Sequence, residues 1–142
     1  MNAVKDILRS KGHEIWFVHP DSTVFDAVKM MAEKGIGSLL VMDDGKLVGI
    51  VTERDYARKM ILEGKASRET PVKDIMTKQV LCVTPERTLD ECMALMTDKR
   101  ARHLPVVENK KVIGVISIGD LVKAVISEQK ILIDQLQNYI SG

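Results

Sequence analysis

The sequence predicts an α+β fold of two tandem β-α-β-β-α repeats with pseudo-two-fold symmetry, continued by a long C-terminal helix. Three observations carry this: the chain repeats itself at a fixed offset, each copy switches between strand and helix periodicity, and each copy holds a tight hairpin signal. Val4-Lys5-Asp6-Ile7 recurs as Val72-Lys73-Asp74-Ile75, and residues 18–61 map onto residues 83–126. The offset over that stretch stays at 65, so that Pro20 meets Pro85, Thr23 meets Thr88, Met31 meets Met96, Leu39 meets Leu104, Val41 meets Val106, Gly49 meets Gly114 and Asp55 meets Asp120.

A short extended run opens each copy, at residues 15–18 and 80–83, and leads through a proline-containing turn to a helix start. Thr88-Leu89-Asp90-Glu91 is a capping-box pattern, and Thr23-Val24-Phe25-Asp26 is its weaker counterpart. Leu89, Cys92, Met93 and Met96 follow at i, i+3, i+4 and i+7, as do Val24, Ala27, Val28 and Met31. These methionines read as core filler. Two strands come next, residues 39–43 and 46–51, joined by Asp44-Gly45, a strong two-residue hairpin signal; Asn109-Lys110 takes that place in the second copy. Thr52-Glu53-Arg54-Asp55 and Ser117-Ile118-Gly119-Asp120 then each open a second helix. The expected organisation is a first repeat over 1–61, a polar linker over 62–71, a second repeat over 72–126 and a helical extension over 127–142. Neither copy, at roughly 60 residues, is comfortable alone. The two are expected to pair their sheets and create two equivalent clefts, the usual place for a small ligand.

Composition narrows the function classes. Of 142 residues, 45% are hydrophobic and 29% charged, which fits neither a disordered chain nor a membrane protein. Twenty-one Lys and Arg against 20 Asp and Glu leave a net +1, so no global field exists to hold nucleic acid or an anionic bilayer. The first residues have neither a signal layout nor transit-peptide character, which makes the expected location cytoplasmic. Cys82 and Cys92 stand ten apart with no CxxC and no clustered His, arguing against a metal site and a disulfide framework. Catalytic signatures such as GxSxG, a Walker loop or HExxH are absent, so an enzyme is not expected.

Two stretches, Gly49-Ile50-Val51-Thr52-Glu53-Arg54-Asp55 and Gly114-Val115-Ile116-Ser117-Ile118-Gly119-Asp120, resemble the signature of CBS domains, the family named for cystathionine β-synthase. Tandem copies resemble a CBS pair, or Bateman module, and Arg102-His103-Leu104-Pro105-Val106-Val107 matches the family's basic-basic-Leu-Pro-Val-Val strand. "TERDYARK" is similar to stand-alone CBS-pair proteins. The resemblance covers the whole chain and implies a sensor of adenosine-containing ligands (AMP, ADP, ATP, NAD(H), sometimes S-adenosylmethionine) with no catalytic cofactor. It implies that Asp55 and Asp120 take ribose hydroxyls while Thr52 and Ser117 support phosphate, with Arg102 and His103 as a phosphate-facing basic pair. By family geometry one cleft combines Thr52, Arg54 and Asp55 with Val80, Cys82, Ala101 and Arg102, and the other combines Ser117, Gly119 and Asp120 with Ile15, Trp16 and Gly37.

Physical chemistry is compatible with those roles. A carboxylate accepts hydrogen bonds from both hydroxyls of a diol, and a helix start with a side-chain hydroxyl suits phosphate. Thr52-x-x-Asp55 and Ser117-x-x-Asp120 are equally plain capping boxes, and the two functions are compatible. Gly49 and Gly114 would let backbone come close to a neighbour or a flat base. Arg54 stands where the second copy has Gly119, and Gly37-Ser38 stand where it has Arg102-His103, so the clefts are chemically unequal, with the Thr52, Arg54 and Asp55 cleft favoured. Trp16 reads either as an adenine-stacking ring or as core.

Past Asp120, Val122, Ile126, Gln129, Ile133, Leu136 and Ile140 are spaced alternately four and three apart, a coiled-coil-like stripe widened by Val125, Leu132 and Tyr139. The expected partner is the same helix of a second copy, giving a homodimer. The reading that follows is a regulatory, energy- or redox-sensing module that signals to an unidentified effector protein through dimer geometry. The alternative is a ligand-independent protein-interaction scaffold with vestigial clefts.

Overall fold

The computed structural model describes residues 3–141; positions 1, 2 and 142, which the sequence reading places in the first repeat and in the helical extension, lie outside the described residues. The elements run α1 (Val4–Lys11), β1 (Phe17–Val18), α2 (Val24–Lys34), β2 (Ser38–Asp43), β3 (Lys46–Thr52), α3 (Glu53–Asp55), α4 (Leu89–Lys99), β4 (His103–Glu108), β5 (Lys111–Ser117) and α5 (Ile118–Ser141). A π-helical stretch, Tyr56–Ile61, continues α3, and Val72–Asp74 forms a 3-10 turn. This is the expected α+β class with its long C-terminal helix.

The chain packs as two compact units, one formed by Ile15–Leu81 and the other by the segment before Ile15 together with everything from Cys82 onward. They are named here by their signature carboxylates, the Asp55 unit and the Asp120 unit. Each takes its leading segment from the other copy of the repeat: α1 packs in the Asp120 unit, and its counterpart, the Val72–Asp74 turn, packs in the Asp55 unit.

In the Asp55 unit the sheet order is β1-β2-β3, with β1 parallel and β3 antiparallel to β2. Thr77 bridges Ile50 on β3 through a reciprocal pair of backbone hydrogen bonds of 3.0 and 2.8 Å. Val18, Val24, Ala27, Met31, Leu39, Val41, Val51, Met60, Val72 and Ile75 form the core. Thr23 caps α2 by accepting the Asp26 N–H at 3.1 Å. The i, i+3, i+7 stripe of α2 is thus the buried one, with Val28 partly covered.

The Asp120 unit has a two-stranded antiparallel sheet of β4 and β5, with α1 and α5 against β5 and α4 against α5, and with Val4, Ile7, Leu8, Leu89, Cys92, Met96, Leu104, Val106, Ile116 and Leu121 buried. Thr88 and Glu91 close the full capping box at the start of α4. Here the expected leading strand shrinks to one parallel bridge, Val83 to Val106. Proline explains the difference. In the first copy the Leu40 N–H donates to the Trp16 carbonyl at 3.2 Å and extends the β1 ladder, whereas Pro105 occupies the matching place and has no N–H to give.

Both hairpins turn on two residues of positive φ, Asp44 (51°) with Gly45 (78°) and Asn109 (52°) with Lys110 (65°), the pattern whose twist matches the strands. Both carry a bulge at the same place, between Val41 and Met42 and between Val106 and Val107. Beside those bulges stand Gly49 and Gly114, each facing a neighbour. A Cβ on Gly49 would lie 2.6 Å from Met76 Sδ and 3.1 Å from the Thr77 carbonyl oxygen, and one on Gly114 would lie 2.7 Å from Leu8 Cδ2.

Candidate functional site

Each candidate site begins where a hairpin strand runs straight into a helix. β3 ends on Thr52 and β5 on Ser117, and the first N–H groups of the helix that follows have no partner in the turn before them. The sequence answers with an aspartate three residues on. Asp55 N–H donates to Thr52 Oγ1 at 3.1 Å while Thr52 N–H donates to Asp55 Oδ2 at 3.1 Å. Asp120 N–H donates to Ser117 Oγ at 3.1 Å while Ser117 N–H donates to Asp120 Oδ2 at 2.8 Å. Neighbouring chain completes the start: Glu53 N–H donates to the Gly37 carbonyl at 3.1 Å, and Ile118 N–H donates to the Arg102 carbonyl at 2.9 Å. Gly37 therefore sits beside the Thr52 to Asp55 turn and Arg102 beside the Ser117 to Asp120 turn, one arrangement repeated in two units.

The carboxylates differ in what else they hold. Asp55 is buried, and both oxygens are engaged: Oδ2 also receives the Thr52 hydroxyl at 3.2 Å, and Oδ1 receives Lys59 Nζ at 3.2 Å and the Thr77 hydroxyl at 3.4 Å. Lys59 donates as well to the Ile75 carbonyl at 2.9 Å, tying the π-helical stretch to the segment that follows the linker. A carboxylate has about four acceptor positions, and four protein donors meet this one.

Asp120 directs only Oδ2 to protein donors, the Ser117 N–H and Lys11 Nζ at 2.7 Å; among the described residues its Oδ1 has no hydrogen-bond partner. Lys11 also donates to the Val115 carbonyl at 2.7 Å. Burial works to raise the Asp120 pKa, but hydrogen bonds from Lys11 and Ser117 and the nearby ammonium charge outweigh it and hold the carboxyl below its ordinary value. His103, half-buried on β4 opposite Ser117, moves below its ordinary value through burial first and then through the positive charge of Lys11 and, more weakly, Arg102. This shift favours its neutral form at pH 7.

The remaining expected residues are placed as follows. In the Asp55 unit Arg54 lies exposed on α3, Ile15 and Val80 are half-buried, and Trp16 is at the surface with Lys34 Nζ 4.3 Å from its ring centroid. Trp16 is thus no core residue. In the Asp120 unit Arg102, Gly119 and Cys82 are exposed and Ala101 is half-buried at the end of α4. Neither cysteine is in a disulfide. Sequence reading passed over Lys59, Thr77 and Lys11. The i, i+4 spacing of Asp55 and Lys59 was a visible signal. Lys11 and Asp120 lie 109 residues apart, and nothing local connects them.

Among the described residues no group of His, Cys, Asp and Glu could hold a metal ion, and no helix is long and apolar enough to cross a membrane. The family model of the CBS domain matches residues 4–62 and again 72–127. A mitochondrial CBS domain-containing protein of Arabidopsis thaliana, CBSX3, is 44% identical over 98% of this chain and 72% of its own. A solved protein with CBS domains from Burkholderia ambifaria MC40-6 superposes with a TM-score of 0.87 at 54% identity, covering 89% of this chain and 96% of that one. The CBS domain pair of MJ0100, solved with 5′-methylthioadenosine and S-adenosyl-L-methionine, matches with a TM-score of 0.79 at 26% identity over 89% of this chain and 97% of that one. A hexameric CBS-CP12 protein from bloom-forming cyanobacteria matches with a TM-score of 0.74 at 30% identity over 84% and 69%.

Proposed function

This chain belongs to the CBS-domain family, and on that premise we propose that it is a regulatory module without chemistry of its own, whose input is an adenosine-containing ligand held at the Ser117 to Asp120 and Thr52 to Asp55 helix starts. Asp120 and Asp55 take the ribose hydroxyls; Ser117, Thr52, Arg54, Arg102 and His103 serve the phosphate end. The output is a change in dimer geometry read by a partner protein. Ligand binding has to favour one arrangement over another, since equal affinity for both shifts nothing.

One observation carries the reading. Among the described residues Asp120 Oδ1 has no protein donor, and it lies on a side chain 17% exposed, next to the Ser117 hydroxyl at the start of a 24-residue helix. A diol supplies the donors that oxygen lacks, and the helix start favours an anion beside it. The adenosine class is supported by the two ligands of the MJ0100 pair; AMP, ADP, ATP and NAD(H) are the members proposed here. Preference between the sites moves from Asp55, as the sequence suggested, to Asp120, because a ligand at Asp55 must displace Lys59 or Thr77. A cytoplasmic location belongs to this proposal, and with a mitochondrial relative at hand cell fractionation is its test.

The test is a thermal-shift panel of AMP, ADP, ATP, NAD⁺, NADH and S-adenosylmethionine on the wild type, Asp55→Ala and Asp120→Ala. A ligand at about 100 times its Kd adds roughly 2.7 kcal/mol, a rise of several degrees in Tm. Loss of a cap costs about 1 kcal/mol, so each variant is read against its own ligand-free Tm. At least one ligand is expected to raise Tm in the wild type and not in Asp120→Ala. No rise with any of the six sinks the reading. The saturated Asp55 carboxylate favours a second reading for its own site, a structural cap in a scaffold, and an Asp55→Ala protein that melts early but keeps its full ligand response would support it.

A further inference from the structure

The two signature carboxylates draw their lysines from unrelated places. Lys59 reaches Asp55 from four residues downstream, and its counterpart beside Asp120 is Ala124. Lys11 reaches Asp120 from the last turn of α1, and its counterpart after the Val72–Asp74 turn is Gln79. The signatures also differ within themselves, since Arg54 stands in one and Gly119 in the other. Position 119 can offer a ligand no charge at all.

Resting on the ligand-binding reading above, we propose that Lys11 determines specificity at the Asp120 site, selecting adenosine ligands that bear phosphate over uncharged or cationic ones. A bare carboxylate beside the start of α5 would repel a phosphate and attract a cation. Lys11 cancels that charge at 2.7 Å. An ammonium has three donors, and two are spent on Asp120 Oδ2 and the Val115 carbonyl, while a side chain 40% exposed leaves the third within reach of a ligand oxygen. A compact ammonium on a flexible stem is a good phosphate partner. Burial and nearby positive charge lower the His103 pKa and favour its neutral form, so among the described residues the fixed cations of this corner are Lys11, which acts on Asp120 itself, and Arg102, which acts on His103. Of the two, Lys11 is the one hydrogen-bonded to Asp120 among the described residues.

The experiment follows the backbone amides of residues 117–121 by NMR while wild type, Lys11→Met and Lys11→Arg are titrated with adenosine, AMP, ATP and S-adenosylmethionine. Methionine keeps the apolar stem and removes the charge. In Lys11→Met, AMP and ATP are expected to weaken at least tenfold and adenosine less than threefold, while S-adenosylmethionine holds or tightens; Lys11→Arg keeps the wild-type order. Wild-type protein offers an independent reading, since added salt should weaken AMP and leave adenosine nearly unchanged. Equal weakening of adenosine and AMP in Lys11→Met, or an unchanged ratio, would overturn the inference, Lys11 then being a structural tether or a bystander. Asp120→Asn separates the two levels: if it abolishes binding while Lys11→Met leaves the ratio unchanged, only the Lys11 inference fails. If no adenosine ligand moves those amides in the wild type, the binding reading fails and takes the inference with it.

Discussion

At the scale of single residues, the repeat signature serves packing before it serves any ligand. Gly49 is tight because Met76 and the backbone of Thr77 lie against it, and Gly114 because Leu8 does. The neighbour, of the two readings the sequence left open, is the one the structure shows. These neighbours set unequal costs. Gly49→Ala drives a methyl group into a sulfur and to within 3.1 Å of a carbonyl oxygen that is fixed by the bridge to Ile50, so it should destabilise the chain by about 1–3 kcal/mol. Gly114→Ala meets the end of a leucine side chain that can rotate, and should cost less than about 1 kcal/mol. Urea midpoints of the two variants check the order, and equal costs would mean that the Thr77 backbone yields as easily as Leu8. Both capping boxes could be read from spacing three apart along the chain. The i, i+4 spacing of Lys59 from Asp55 is legible in the same way; Lys11 is not, because a cation supplied from a remote helix leaves no trace in the sequence around its partner.

At the scale of elements, local signals were legible and backbone partners were not. Asp44-Gly45 and Asn109-Lys110 announced their hairpins, Thr23 and Thr88 their helices, and the i, i+3, i+7 stripes their buried faces. The run at 80–83 has the same look as that at 15–18, yet among the described residues its β-bridge is the one at Val83, because its ladder depends on what Pro105 lacks rather than on its own residues. Helix periodicity after Asp55 likewise gave no warning that Tyr56–Ile61 winds as a π-helix. The second copy also places ordinary residues where the first has glycine at positive φ: Arg100 (54°) for Gly35 and Lys110 (65°) for Gly45. A left-handed conformation costs a non-glycine residue about 1–2 kcal/mol, and glycine returns part of that gain as lost chain entropy. Lys110→Gly should therefore stabilise by about 0.5–1 kcal/mol and raise Tm by about 2–4 °C. A thermal melt that stays level or falls would show that Lys110 gains elsewhere what its backbone loses.

For the molecule as a whole, α5 poses the problem of assembly. At about 1.5 Å per residue its 24 residues span roughly 36 Å. Leu121 and Ala124 are buried, but from Ile126 on Ile131, Leu132, Ile133, Leu136, Tyr139 and Ile140 are all more than half exposed. A helical end of this length is marginal in water by itself, and each such side chain gains about 1.5–3 kcal/mol on full burial, so the free helix is the less stable condition of this sequence. Ile126, Gln129, Ile133, Leu136 and Ile140 keep the alternating spacing of a two-helix seam, which makes the same helix of a second copy the simplest cover. The hexameric cyanobacterial protein shows that a matching fold can also assemble further. We therefore expect sedimentation equilibrium at micromolar concentration to find the full chain as a dimer. A chain ending at Val125 should dissociate at least a hundredfold more readily. So should full-length Ile133→Lys with Ile140→Lys, which keeps the helix and charges its seam. A dimer that survives both changes places the contact elsewhere on the molecule, and a monomeric full chain removes the homodimer together with the output step that the proposed function assigns to it.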